Sequence, residues 1–377
     1  MIIGIDGNEA NVRKRVGIGE YAFELLKQFS QQKPETKNQK FTIYLKDKPL
    51  EDLPHAQEDW RYRIFGPKKL WTQIRLPLDL YLHKPRPDIF FSPSHYAPRF
   101  SPIPTAISIM DLSYHFFPGL FLTKDLYQLT RWTRYSAKRA DLIFTISKAS
   151  KKDIIDIYGI PEEKIVVTYP GIKSFASLAP QVYPIHMLQN EFGIKSPYFL
   201  FVGTLQPRKN IVRLIEAFAK VKQRVKDPLT LVVVGRKGWK YEDIFQAPEK
   251  NGVKNEVIFL ESVSDDQLPQ VYKNAIAFVL PSLYEGFGLP VLEAMKNECP
   301  VIISKVSSLP EAGGDAALYV DPENVDDIAK KMAEVLESNR VREALIAKGK
   351  KQIEKFSWEK SARMTLEALE GIVAKKA

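Results

Sequence analysis

The 377-residue chain contains one cysteine, Cys299, and only five histidines. A single thiol excludes an internal disulfide framework and cannot supply a cysteine cluster for structural zinc. No apolar run approaches the roughly 18 residues of a bilayer-spanning helix. The longer runs are short pieces such as Leu229–Val234, itself broken by Thr230. The amino terminus reads MIIGIDGNEA, with neither the basic leader nor the apolar stretch of a secretory signal. No short-period repeat is present. These absences point to a cytoplasmic globular protein, and 45% hydrophobic with 27% charged residues is the ordinary balance for one. This length predicts two domains, each with enough residues to bury a core.

Basic residues outnumber acidic ones by 55 to 45, and the surplus is unevenly spread. Residues 1–180 carry 27 basic and 19 acidic side chains, a net of +8, whereas 181–377 carry 28 and 26, a net of +2. The excess is densest where Arg61, Arg63, Lys68, Lys69, Arg75, Lys84 and Arg86 face only Asp79, interleaved with Trp60, Tyr62, Phe65, Trp71 and Tyr81. Two readings of this stretch stand side by side. One is a solvated basic face on an amphipathic helix over 69–82. The other is a surface for peripheral contact with anionic membrane lipids, with the aromatics at the interface. No nucleic-acid-binding motif accompanies the patch, and nucleic acid is not expected as a partner.

Short apolar runs alternate with amphipathic segments, the pattern of an α/β protein with parallel sheets. Strands are predicted at Ile2–Ile5, Phe41–Leu45, Asp88–Phe91, Thr105–Ile109, Asp141–Thr145 and Ile165–Thr168, with helices near 18–30, 69–82, 123–139 and 147–158. A proline- and glycine-rich stretch over 170–197 reads as the linker. The alternation then restarts, with strands at Tyr198–Val202, Leu229–Val234, Val257–Leu260, Ile276–Leu280 and Pro300–Ile303. Helices follow near 210–225, 265–274, 289–297, 324–337, 340–356 and 358–375. The domain reading is therefore 1–175, 176–357 and a C-terminal helix over 358–377 that packs back on the first domain. Two facing Rossmann-like domains would leave a deep cleft outside the carboxyl ends of their strands.

The most informative motif is PSLYEGFGLPVLEAM (281–295). A strand ends at Leu280, a glycine loop follows, and a helix begins with Pro290 at its first position. Unpaired N–H groups and the positive end of the dipole make such a helix start a ready anion site. Gly286 and Gly288 let the backbone approach a ligand closely. Glu285 precedes the helix and Glu293 lies a turn inside it, so two carboxylates can accept hydrogen bonds from the hydroxyls of one ligand. The plainer alternative is a capped helix whose acids offset its dipole. In GTLQPRKN (203–210), Arg208 and Lys209 stand ahead of a helix start, fit either to clamp a diphosphate or to sit solvated on a loop. GIGEYA (17–22) matches G-x-G-x-x-A at a helix start, but residues 6–16 separate it from its strand, which argues against a dinucleotide fingerprint and for a loop over the cleft.

Taken together these stretches resemble the retaining glycosyltransferases of family 4, with their E-x7-E motif. The likeness extends through SAKRADLIFTISKASKKDI (136–154), VVTYPGI (166–172), VVVGRKGW (232–239), SLPEAGGDAALYVDP (308–322) and FSWEKSARMTLEAL (356–369). The resemblance implies a GT-B fold, a nucleotide-diphosphate sugar as donor, a glycan or lipid-linked acceptor, and a role in cell-surface polysaccharide synthesis. Site roles follow from it. Glu293 would bond the donor ribose and Glu285 the transferred hexose. The N–H groups of Phe287, Gly288 and Leu289 would meet sugar or phosphate, and Arg208 and Lys209 the diphosphate. An arginine common earlier in the family's motif is replaced by Thr204, after Gly203. Gly17 and Gly19 would line the phosphate and acceptor side, and Val263 would contact the base. GTLQPRKN and MDLSY (110–114) resemble mannosyltransferase members, which implies GDP-mannose.

One departure stands out. Many members carry His-Asp where this chain has Met110-Asp111. Met110 donates no useful hydrogen bond, Asp111 keeps its place in the acceptor pocket, and His95 in SPSHY (92–96) is the candidate to reach that pocket instead. No Asp-x-Asp triplet occurs, so no metal cofactor is expected. Arg208, Lys209 and the helix start at 288–290 would stabilise the leaving diphosphate. Two other classes compete: a GT-B sugar phosphorylase or nucleotide-sugar epimerase, and a non-catalytic nucleotide-sugar binding protein.

Overall fold

The computed structural model describes residues 1–31, 39–172, 191–194 and 197–376. The chain divides into two compact units. One comprises Met1–Phe116, Leu122–Gly171 and Ser357–Ala377; the other comprises Phe117–Phe121 and Ile172–Phe356. The boundary expected at 175, with most of the 170–197 linker, lies outside the described residues.

The first unit is built on seven strands: β1 (Ile2–Asp6), β2 (Lys40–Leu45), β3 (Trp60–Ile64), β4 (Ile89–Ser92), β5 (Thr105–Ser108), β6 (Leu142–Thr145) and β7 (Ile165–Val167). Their order is β3-β2-β1-β4-β5-β6-β7, and every neighbouring pair is parallel. The second unit has β8 (Tyr198–Val202), β9 (Thr230–Val234), β10 (Val257–Leu260), β11 (Ala277–Leu280), β12 (Val301–Ser304) and β13 (Ala317–Val320) in the order β10-β9-β8-β11-β12-β13, again all parallel. Helices cover both faces of such sheets, so the central strands read as unbroken apolar runs: TLVVV, AFVL and VIIS are buried throughout. Each sheet reverses its winding once, between β1 and β4 and between β8 and β11. At such a switch point the crossovers part and leave a crevice outside the carboxyl ends of the strands.

The helix Ile18–Ser30 buries Tyr21, Ala22, Leu25, Leu26 and Phe29 at the three- and four-residue spacing of one helical face. The C-terminal helix Trp358–Ala374 brings Ala362, Leu366 and Leu369 into the same core. Gly171 makes that approach possible, because a Cβ there would lie 2.2 Å from the Trp358 nitrogen.

The stretch from Trp60 to Arg86 departs from expectation. Residues 60–64 form β3, an edge strand not anticipated from WRYRI, and Trp60 turns inward to pack on Phe41 at 5.2 Å. The helix expected over 69–82 opens as a π-helical turn, Trp71–Arg75, and continues as an α-helix over Leu76–Leu82. The reason is packing: Trp71, Leu76 and Leu80 are all buried around Tyr44 and Phe90. Trp71 and Leu76 are five residues apart, a spacing that only a widened i→i+5 turn brings to one side. The two tryptophans expected at an interface are therefore core residues, with Trp71 stacked on Phe65 and donating to its carbonyl at 3.0 Å. Also unanticipated are β13 and the helices Ser113–Phe116, Glu242–Lys250 and Leu309–Gly313. The second of these helices carries Pro248 inside it, a residue that reads as a breaker.

Candidate functional site

In the second unit the loops after β8 and β11 meet at the switch point. After β8 the chain runs through half-buried Gly203 and exposed Thr204 into a short 3-10 turn, Pro207–Lys209. Asn210 then adopts the left-handed conformation (φ 60°) and caps the helix Ile211–Lys222. Asparagine is among the few side chains that tolerate this conformation. Its amide also ties the loops together, donating to the carbonyls of Pro281 at 2.9 Å and Pro322 at 2.6 Å. The Leu283 N–H donates to the Arg208 carbonyl at 2.9 Å. This lacing turns Arg208 and Lys209 onto the loop that follows β11.

Glu285 is what they meet. Its Oε1 accepts from Lys209 Nζ at 2.6 Å and from Ser282 Oγ at 2.7 Å, and its Oε2 from Arg208 at 3.2 Å. All three charged side chains are largely enclosed, with 7% of Glu285, 11% of Lys209 and 14% of Arg208 exposed. Arg208 donates further to the Tyr284 carbonyl at 2.5 Å. Burial alone would raise the Glu285 pKa, but the two cations and the hydrogen bonds from Lys209 and Ser282 outweigh it and hold the carboxyl down at about 2. The backbone is pinned as well, since Ser307 and Ser308 donate to the Glu285 carbonyl at 2.6 and 2.8 Å.

Gly286, Phe287 and Gly288 are buried, and Phe287 stands edge-on to Phe356 at 5.3 Å. Gly288 caps the helix Leu289–Lys296 at φ 97°, and a Cβ there would meet Leu309 at 2.7 Å. Half-buried Leu289 is thus the first helical residue and Pro290 the second, one place later than expected. Glu293 is half-buried and accepts from the Tyr272 hydroxyl at 3.0 Å. Burial and that neighbouring carboxylate push the Tyr272 pKa well up. Val263 is half-buried between β10 and the Leu268–Lys273 helix.

The other candidates belong to the first unit. Gly17 caps the Ile18–Ser30 helix, and Gly19 is buried in its first turn. His95 follows β4 at the first switch point, and its Nδ1 is enclosed with no hydrogen-bond partner. Burial lowers the His95 pKa, while the nearby charge of Asp111 works against that shift. Asp111 itself accepts from the Ser113 N–H at 2.8 Å. Met110 is a core residue whose carbonyl accepts from Ser150 Oγ at 2.9 Å. Among the described residues, no group of three or more His, Cys, Asp or Glu side chains is arranged to hold a metal ion.

The structure thus brings Arg208, Lys209 and Glu285 into direct contact. Reading the sequence missed the side chains that make this possible, Asn210, Ser282, Ser307 and Ser308, and also Tyr272, the partner of Glu293. Asn210 alone left a local signal, as an Asn directly before an apolar helical run. Chemically the loops offer a preorganised pair of cations and a permanently ionised carboxylate beside a helix start.

The chain is similar to known glycosyltransferases in sequence and in fold. Residues 17–174 match the family model "Glycosyltransferase Family 4" and residues 185–352 match "Glycosyl transferases group 1". The chain is 30% identical over 378 residues to O-antigen chain mannosyltransferase B of Escherichia coli, covering 93% of this chain and 95% of that protein. It is 30% identical over 233 residues to the serotype-specific mannosyltransferase WbdA of the same species, covering 61% of this chain and 29% of that protein. Among solved structures, sucrose-phosphate synthase from Thermosynechococcus elongatus superposes with a TM-score of 0.74 over 99% of both chains at 17% identity, a likeness of fold.

Proposed function

The chain belongs to the glycosyltransferases of GT-B fold, and on that premise we propose that it moves mannose from GDP-mannose to a glycan or lipid-linked acceptor, with retention of configuration. It acts on a nucleotide-sugar donor, in polysaccharide synthesis. Mannose as the sugar draws support from the names of both Escherichia coli relatives. The observation that carries the site assignment is the buried Arg208–Glu285–Lys209 cluster at the switch point of the second sheet.

Breaking the bond between the anomeric carbon and the diphosphate builds negative charge on the leaving group. Preorganised donors facing that charge lower the barrier, because they need no reorganisation as it develops. Arg208 brings five N–H donors and Lys209 three, enough to hold Glu285 and diphosphate oxygens together. The N–H groups at Phe287, Gly288 and Leu289 add the helix start, and the Gly203–Thr204 turn gives the backbone close approach. Glu285, ionised at any physiological pH, accepts from a hexose hydroxyl; Glu293 accepts from the ribose, and Val263 borders the base. No metal is required in this scheme. On the acceptor side, Gly17 and Gly19 line the entrance, Asp111 accepts from the incoming hydroxyl, and His95 stands in for the histidine missing at Met110. The departing phosphate takes the acceptor proton on the same face of the sugar, which preserves configuration without a covalent intermediate. We place this chemistry at the inner membrane surface, where a lipid-linked acceptor is at hand.

A thermal-shift and calorimetric panel of UDP, GDP, ADP and their sugar conjugates, with magnesium or with EDTA, tests this reading. Selective stabilisation by GDP and GDP-mannose, unchanged by EDTA, is the expected result. Silence toward every nucleotide would overturn it, and a requirement for magnesium would overturn the metal-free scheme. Met110 favours one rival, a protein that binds the donor without turning it over; release of GDP in the presence of acceptor glycans excludes that rival.

A further inference from the structure

Of the fourteen large hydrophobic side chains exposed among the described residues, six fall between residues 64 and 82. They are Ile64, Leu70, Ile74, Leu78, Tyr81 and Leu82, each between 45% and 79% exposed. Leu70, Ile74, Leu78 and Leu82 recur every four residues through the helical segment 71–82 and its capping residue, so they line one side of it. Trp71, Leu76 and Leu80 on the opposite side hold the segment to the core. The outward face thus carries an apolar stripe beside its exposed cations, and Trp60 and Trp71, buried in the core, take no part in it.

Charge frames the stripe. Lys69 and Lys68, the latter paired with Asp47 at 2.7 Å, precede it, Arg75 lies within it and Lys84 follows, all exposed, as is the imidazole of His83. The one carboxylate of the stretch, Asp79, is taken up by Arg63. A hollow of about 330 Å³ opens beside the stripe, where Leu78 and Leu82 share the lining with Arg75, His83 and the paired Arg63 and Asp79. An apolar stripe exposed to water and rimmed by cations of one sign matches the boundary of a bilayer, where acyl chains lie under anionic phosphates. A helix face meant for water would carry the charges on the stripe itself.

We propose that this face, with Leu70, Ile74, Leu78, Tyr81 and Leu82 at its centre, docks the first unit on an anionic phospholipid surface. The aliphatic side chains enter the headgroup boundary, Lys68, Lys69 and Lys84 meet the phosphates around them, and Arg75 and His83 hold a lipid phosphodiester at the hollow. The proposal deepens the reading of an acceptor held at the membrane. Its test contains no nucleotide, so it fails or stands separately from donor binding.

The full chain is floated with vesicles of phosphatidylcholine alone and with about one third phosphatidylglycerol, at low and high salt. Anionic vesicles should carry the protein and neutral ones should not, with binding weakened by salt. Leu78→Ser with Leu82→Ser should reduce the bound fraction about tenfold at low salt while the thermal midpoint holds, because both side chains are already exposed. Lys68→Glu with Lys69→Glu should lower the affinity and flatten its dependence on salt. Equal binding to both vesicle types, or a serine variant that floats like the parent, would overturn the proposal. So would a dimer seen by sedimentation velocity without lipid that the serine variant dissociates, since a second copy would then be the occupant of this face.

Discussion

The loops after β4 and β11 occupy equivalent places, each following the fourth strand of its unit at the switch point of a parallel sheet. Their polar groups are treated in opposite ways. After β11 the carboxylate of Glu285 has two cations and a hydroxyl on its oxygens, and its carbonyl has two serine hydroxyls. After β4 one ring nitrogen of His95, Nδ1, is enclosed without a partner. A buried polar group left unsatisfied costs on the order of 1–3 kcal/mol, and a ligand that supplies the missing partner recovers that cost. The contrast fits one loop preorganised for a constant ligand and another that completes its hydrogen bonds only when a ligand arrives.

Removing the charge of Glu285 should break the comparison most severely. Glu285→Gln leaves two enclosed cations without their counter-charge, a loss of about 3–5 kcal/mol for a buried pair stripped of one partner. Transfer activity should fall at least about a hundredfold. Urea titration and initial rates measure both. The pH profile adds a signature. The carboxyl is held at about 2 in the folded state against 4.5 when unperturbed. The stability it contributes is therefore complete above pH 4.5 and lost as the pH falls toward about 2. The glutamine variant should lack that acid limb; a variant as stable as the parent at pH 7 would mean the cluster is not the rigid element described.

Next in size is Asn210→Ala. It forces a side chain into the left-handed region and strips two buried carbonyls of their donor, together about 2–4 kcal/mol. Asn210→Gly should recover the backbone part alone, leaving a difference between the two variants of about 1 kcal/mol in chemical denaturation.

These two predictions also show what was legible in the sequence. Glu285, Arg208 and Lys209 stood out singly, because each sits where a strand gives way to a loop and helix. Their mutual contact did not, since it joins residues 76 and 77 positions apart and depends on Asn210 lacing the loops. The strands of both sheets were legible where burial on both faces made them continuous apolar runs. β3 was not, because an edge strand such as WRYRI exposes its arginines and reads as surface. The π-helical turn was not either, as its five-residue spacing between Trp71 and Leu76 answers to the core beneath and not to any helical period.

Glu293→Gln sharpens the contrast within the second unit. The amide still accepts from the Tyr272 hydroxyl, so stability should change by less than about 1 kcal/mol. Loss of a charged acceptor for a ribose hydroxyl should weaken GDP binding about tenfold, some 1.4 kcal/mol in calorimetry. Unchanged affinity would remove Glu293 from the donor site.

The smallest effect belongs to His95. Burial lowers its pKa in the folded state below the ordinary 6.5, and the charge of Asp111 offsets this only in part. As the pH drops below 6.5 the unfolded chain takes up a proton that the folded one refuses, so stability present above 6.5 declines on acidification. Between pH 7.5 and 5.5 the parent should lose more stability than His95→Gln, read from urea midpoints at the two values. If His95 serves the incoming acceptor, the same variant should lower kcat and leave the GDP affinity untouched, a split that a merely structural histidine would not give. A change in donor affinity of the kind expected for Glu293→Gln would instead make the two loops alike in function, and the contrast between a satisfied and an unsatisfied switch point would lose its meaning.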